Sequence, residues 1–390
     1  MGWTDWTRRA AALGACAAVL ASAACGRSTF GGGRTVGPFA LDSVALNLVL
    51  IGDGGLPDPD GEPVLRALQN EIGAAPERSF VVFLGDNLYP VGLADTLTEP
   101  GREGLRILRA QMQPLRDTRT RGVFVPGNHD WAQGAPEGWQ NVARQERFIN
   151  TEGAGLIGME PRGGCPGPVV IDLGEHARVI AIDTHWWLHP ATKPGPDRCT
   201  PGTEDGVVDS LRIALATAGE RKTIVVSHHP IVSGGQHGGY FDWPTYLIPV
   251  HPWARIAGLF ARQDVTGREY RHMSAQLRRA FVVDTPTVYA AGHEHNLQVL
   301  RREPARYLLI SGTGIYGHTT PSRRITGTRY VREASGYMRI TFLADGRARL
   351  GVMVVDAQGN ATEDFSMWLD ADAPVPAVPA DSAAASGSGG

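Results

Sequence analysis

The chain has 390 residues, 42% of them hydrophobic and 20% charged, which is enough for one large domain or two smaller ones with a sizeable core. Its formal net charge of -3 leaves no global basic field to hold nucleic acid or an anionic membrane surface. The 49 glycines and 27 prolines fit short strands joined by irregular loops.

Residues 1–25 read as an export signal peptide. Arg8 and Arg9 give a charged start, residues 10–24 form a small apolar run too short to span a bilayer comfortably, and small residues precede Cys25. Ala23-Ala24-Cys25 is similar to a bacterial lipoprotein cleavage box, with Ser22 where that box usually has Leu. Acylation of Cys25 and ordinary cleavage nearby are therefore both open. Thr7-Arg8-Arg9 is similar to a twin-arginine start. The expected location is outside the cytoplasm: periplasmic, anchored through a lipid on Cys25, or secreted. Residues 26–43 read as a flexible tether, 44–370 as one domain and 371–390 as a disordered Ala/Pro/Ser/Gly tail.

Short apolar runs follow in order: 46–52, 80–85, 123–126, 169–173, 179–183, 223–227, 287–292 and 307–312. Each is four to seven residues long, and most are rich in Val, Ile and Leu, as in strands buried on both faces. Helices are expected around 62–74, 102–116, 206–219 and 273–281, and a hairpin over 337–356 turning at Asp345-Gly346. The order implies an α/β core with a closing antiparallel element. Cys165 and Cys199 are the only cysteines outside the signal; their loop-like flanks and an oxidising compartment favour a disulfide between them.

Polar residues stand at the ends of these runs. Asp53 follows the first in IGDGG, Asp86 the second in FLGDNLY, and Asn128 and His129 the third in VPGNHD. His228 follows the sixth in VVSHHP, and His293 and His295 the seventh in AAGHEHN. Ligands of open α/β sheets bind beyond the carboxyl ends of the strands. One such Asp is usually a turn residue and one such His an ordinary hydrogen-bonded side chain. Five strand ends delivering oxygen and nitrogen donors are another matter, because they would repel or stay unsatisfied without a cation among them. The mixed donor set suits Fe, Zn or Mn, and its size suits two metals sharing a carboxylate.

The series GDGG, GDNLY, GNHD, SHHP, GHEHN resembles the calcineurin-like metallophosphoesterase superfamily. Gly55 stands where that superfamily usually has a histidine, and Tyr89 stands three residues after Asp86. Both features are similar to purple acid phosphatases. The resemblance implies a four-layer α/β/β/α sandwich of two mixed sheets flanked by helices. It further implies that Asp53, Tyr89 and His295 hold one metal, that Asn128, His228 and His293 hold the other, and that Asp86 bridges them. A phenolate points to Fe(III) at the first position, since free Tyr ionises only near pH 10. The second position, with neutral ligands besides Asp86, suits Fe(II), Zn(II) or Mn(II).

The implied reaction is hydrolysis of a small phosphate monoester, with hydroxide on or between the metals attacking phosphorus in line. His129 and His237 are the candidates for stabilising or protonating the leaving group, with simple orientation of neighbours the competing role. His229 is expected to be structural or pocket-lining, Glu294 to point away or to support its neighbours, and Asp130 to be a supporting or capping group and not a ligand. Three functions stay open at this point: a phosphomonoesterase, a phosphodiesterase or nucleotide pyrophosphatase on the same site, and a tethered binding protein with a vestigial centre. The 231–286 stretch carries Tyr240, Phe241, Trp243, Tyr246, Trp253 and Phe260, which could form a substrate wall or merely a hydrophobic cluster under a long loop. Trp186 and Trp187, after the fifth run, could line the same pocket. Oligomeric state and natural substrate leave no mark in the sequence.

Overall fold

The computed structural model describes residues 29–31, 36, 43–238, 240 and 263–369. The signal with Cys25, most of the tether, the aromatics from Phe241 to Phe260 and the 371–390 tail lie outside the described residues.

The apolar runs form strands of two mixed sheets. In the first sheet β2 (Val44–Ile51), β3 (Ser79–Phe83), β4 (Arg121–Phe124) and β5 (Ile157–Met159) are parallel. The strands β13 (Gly336–Leu343), β14 (Ala348–Val355) and β15 (Ala361–Trp368) extend it antiparallel, in the order β15-β14-β13-β2-β3-β4-β5. The expected hairpin is thus β13–β14. The second sheet is built around parallel β7 (Ala177–Ala181), β8 (Lys222–Val226), β9 (Val288–Ala291) and β11 (Tyr307–Ser311). Antiparallel β6 (Val169–Leu173) closes one edge. Beyond β11 lie β10 (Leu297–Leu300), β12 (Thr328–Arg332) and β1 (Thr29–Gly31), each antiparallel to its neighbour.

Alternation along each strand explains the layers. Leu48 and Leu50 of β2 point into the space between the sheets, where they meet Val82, Val226, Ala290 and Leu309. Val49 and Ile51 point the other way, onto Leu68 of α1 (Pro63–Gly73), Leu108 of α2 (Glu99–Thr118) and Ile149 of α3 (Gly138–Gly153). A short helix, α4, spans His185–Leu188. On the second sheet, Val225 and Tyr289 face Leu211 of α5 (Glu204–Ala216) and Leu277 of α6 (Arg268–Ala280). Strands covered on both faces need apolar residues at every position, which is why the runs are continuous. Truncating a residue such as Leu50 to Ala would cost about 2–5 kcal/mol. The result is the α/β/β/α sandwich that the resemblance implied.

Two helix starts follow from local chemistry. Thr98 caps α2 by accepting from the Gly101 amide, and Thr203 caps α5 through the Gly206 amide. Helix α3 has no counterpart among the expected helices. Its inward face includes Asn141 and Gln145, which donate to the Val91 carbonyl and the Asp130 carboxylate, so its buried stripe is only partly apolar. The tryptophan pair differs from expectation. Trp186 and Trp187 are nearly buried in α4 and pack with Val207, Tyr270 and Met273, and the Trp186 indole donates to the Pro194 carbonyl. They belong to a satellite core and not to a pocket wall.

Candidate metal centre

The two sheets meet at the carboxyl ends of their parallel strands. Beyond the first sheet, Asp53 follows β2, Asp86 and Tyr89 follow β3, and Asn128 and His129 follow β4. Beyond the second, His228 follows β8, and His293 and His295 follow β9. Ser311, ending β11, ties the two sheets together by donating to the Leu50 carbonyl at 2.8 Å.

Sharp backbone turns aim three of these side chains. Asp53, Asp86 and His293 have φ of 58°, 51° and 71°, a left-handed conformation uncommon outside glycine. Backbone amides then occupy one oxygen of each carboxylate. The His293 amide donates to Asp53 Oδ2 and the His129 amide to Asp86 Oδ1, both at 2.8 Å. The second oxygen of each faces the centre. Two glycines permit this crowding: a Cβ on Gly127 would lie 2.3 Å from Asp86 Oδ1, and one on Gly292 would lie 2.4 Å from Asp53 Oδ2.

The donors fall into two groups. Tyr89 Oη lies 3.3 Å from Asp53 Oδ1 and 3.2 Å from His295 Nε2, which is itself 3.4 Å from Asp53 Oδ1. Asn128 Oδ1 lies 2.9 Å from His228 Nε2 and 3.1 Å from His293 Nδ1, and those two nitrogens are 3.2 Å apart. Asp86 Oδ2 is 3.3 Å from His228 Nε2. One donor atom each from Asp53, Asp86 and His228 lies within 4.8 Å of the others, so the Asp86 carboxylate is close to a member of each group. Carbonyl partners fix the rings. His228 Nδ1 donates to the Leu84 carbonyl at 2.9 Å and His293 Nε2 to the Gln263 carbonyl at 3.0 Å, so that each ring, when neutral, presents a lone pair at its inward nitrogen.

Electrostatics fit a cation among these donors. Burial pushes the Tyr89 phenol well above its ordinary range, and the nearby Asp53 and Asp86 carboxylates push it further. Burial disfavours charge on His228, yet Asp86 outweighs it and raises the imidazole to about 9. Asp86, which burial alone would raise, is held well below the usual carboxylate range by His228 and His129. A dication among the same atoms would reverse the first two shifts, because it favours phenolate and neutral imidazole alike.

Around this cluster the other candidates separate. The His129 ring contacts the Pro90 carbonyl through Nδ1 at 2.7 Å, leaving Nε2 3.9 Å from Asp86 Oδ2. His237 stacks on His293 with ring centres 4.0 Å apart and contacts Asp264 through Nδ1 at 3.2 Å. Both are part-exposed. His229 also lies close to His228 and His293, but its ring nitrogens are engaged by Thr184 and Gln263. Glu294 turns away and accepts from the Ser233 hydroxyl and the Gly238 amide, thereby holding the loop that carries His237. Asp130 lies beneath, accepting from the Gly127 and Asn87 amides, the Asn87 side chain and Gln145. Cys165 and Cys199 form the expected disulfide, with Cα atoms 5.5 Å apart. Sequence reasoning missed Gln263, Asp264 and His318. The last packs its ring 4.2 Å from that of His295. It follows β11, so the strand-end rule that found the others could have found it.

Comparison with known proteins agrees with this geometry. The family model described as calcineurin-like phosphoesterase matches residues 46–297, well over half of the chain. Purple acid phosphatase 4 of Arabidopsis thaliana is 23% identical over 348 residues, covering 84% of this chain and 86% of that protein. The fold is similar to that of a purple acid phosphatase from yellow lupin seeds (Lupinus luteus), with a TM-score of 0.54 and 15% identity over 83% of this chain and 53% of the lupin chain. It is also similar to GAP50, the anchor in the inner membrane complex of Plasmodium, with a TM-score of 0.50 and 17% identity over 83% of this chain and 88% of that one. Together with the His/Asp cluster, the family implies two metal ions. The chain belongs to the calcineurin-like phosphoesterase family, as a purple acid phosphatase-like phosphoric ester hydrolase.

Proposed function

We propose that this protein hydrolyses small phosphate monoesters at a dinuclear centre outside the cytoplasm. Asp53, Tyr89 and His295 would hold one metal, Asn128, His228 and His293 the other, and Asp86 would bridge. The observation that carries this is the position of Asp86, whose carboxylate lies within reach of both donor groups. Tyr89 favours Fe(III) in the first position, and the neutral donors of the second suit Fe(II), Zn(II) or Mn(II). Such a metal pair supplies an acidified water and electrostatic stabilisation of the phosphoryl oxygens.

The chain's own residues do the rest. His129, anchored on Pro90 through Nδ1, presents Nε2 to a departing oxygen and can deliver a proton there. His237 is held by Asp264 and by its stack on His293, and its Nε2 would meet a phosphate oxygen or the leaving group. Residues 44–370 act as one domain in this proposal. The disulfide supports export, because such bonds persist in oxidising compartments. A lipid on Cys25 would attach it to a membrane. Among the described residues, no helix is long and apolar enough to cross a membrane.

Metal analysis with paired turnover of p-nitrophenyl phosphate and bis(p-nitrophenyl) phosphate tests the proposal. Two metals per chain and faster monoester turnover are expected. Preferred diester turnover would overturn the substrate class, and no turnover of either ester by fully metallated protein would overturn catalysis.

A further inference from the structure

A second cavity, of about 690 Å³, lies beside the loop that carries His237; Ser233 and Gly238 of that loop line it. None of the candidate metal ligands does. Three arginines reach it from three separate segments: Arg278 at the end of α6, Arg302 after β10, and Arg324 before β12. Among the described residues, no carboxylate lines the cavity. Arg302 reaches only the Thr326 carbonyl, at 3.4 Å, and its Nε is buried without a partner. The Arg324 guanidinium lies 3.5 Å over the Phe30 ring, which leaves its hydrogen-bonding edge unused by that contact. Arg278 is solvent-exposed overall, yet partial burial and then the charge of Arg302 push its guanidinium below the ordinary value, against the weaker pull of Glu303.

Like charges gathered from unconnected segments repel, and guanidiniums left without acceptors forgo their strongest hydrogen bonds. An anion resolves both. Guanidinium forks match phosphate oxygens in pairs. The rest of the wall is different in kind: Ile231, Val265 and Ile325 offer an apolar face. The volume falls in the range of sites that enclose a small organic molecule, far beyond a bare phosphate.

We propose that this cavity binds an organic phosphate through Arg278, Arg302 and Arg324, with its carbon body on the apolar face, independently of the metal centre. The test is calorimetric titration of the metallated full chain with phenylphosphonate, which cannot be hydrolysed, and with inorganic phosphate. Wild type should bind two phenylphosphonates per chain. Asp86→Asn should lose the event at the metal centre and keep the other. Arg302→Gln/Arg324→Gln should do the reverse, weakening the second event roughly tenfold or more while turnover of p-nitrophenyl phosphate is unchanged. Should the double variant fail to fold, the exposed Arg324→Gln alone is expected to weaken the same event. Unchanged phenylphosphonate binding in a folded arginine variant overturns the site. Equal affinity for inorganic phosphate at that event overturns the organic part of the proposal.

Discussion

The two sheets contribute unlike chemistry to one place. The seven-stranded sheet brings oxygen donors, from Asp53, Asp86, Tyr89 and Asn128, and the eight-stranded sheet brings nitrogen donors, from His228, His293 and His295. Deeper between the sheets the contact is wholly different: Leu50, Val82, Val226 and Ala290 meet as ordinary apolar core. The same interface is therefore held by burial along its depth and by polar convergence at its rim. In the proposed centre neither sheet alone carries a complete set of donors, so cation binding would be coupled to the docking of the sheets.

The largest expected effect comes from the residue proposed to bridge the two donor groups. Asp86→Asn should lower phosphatase turnover roughly a thousandfold or more, with loss of at least one metal from the purified protein. Near-normal turnover would remove Asp86 from its proposed position. Next in size is metal removal. If the cations join the sheets, the chelated protein should melt lower, by the equivalent of about 2.7 kcal/mol for each metal present at a hundred times its dissociation constant. Equal melting temperatures with and without metal would mean that the apolar depth of the interface alone sets stability.

A smaller loss is expected one layer further out. Asp130 belongs to the first sheet's side and holds Asn87 and Gly127, not the donors themselves. Asp130→Ala should weaken metal retention about 10–100-fold, measured by competition with a chelator, without abolishing the fold. The smallest effect is a slope with pH on the second sheet's side. Asp183, just beyond β7, is fully buried and accepts from Trp131 and from two amides. Burial raises its carboxyl from 3.8 to about 7 despite those bonds. Between these values the folded chain keeps a proton that the unfolded chain has lost, so stability falls as pH rises, by at most about 1.4 kcal/mol per pH unit. Asp183→Asn should flatten the melting temperature across pH 4–7. An unaltered slope would show that other groups govern it.

What the sequence revealed follows from the same contrast. Each donor block was legible because a run of Val, Ile and Leu ends abruptly in a polar residue, and five such ends together exceed what turns and caps require. The surrounding support was not. Gln263 and Asp264, which contact the rings of His229, His293 and His237, sit in a segment without a motif, and their role exists only through contacts across the fold. Helix α3 was hidden because its inward face uses Asn141 and Gln145. Trp186 and Trp187 looked like a pocket wall because they follow a strand. Asp183 instead accepts from the amides of His185 and Trp186, and the turn it fixes carries the indoles into the satellite core beside Tyr270 and Met273.

The contacts of Gly127 and Gly292 bear on how this protein could be evolved in the laboratory. Even alanine at either position would drive a methyl group into a carboxylate that the chemistry needs. Libraries aimed at new substrates would lose most of their members there before selection begins. Leu56, Val91 and Tyr316, exposed and close in sequence to Asp53, Tyr89 and His318, tolerate variation far better and are the places to diversify.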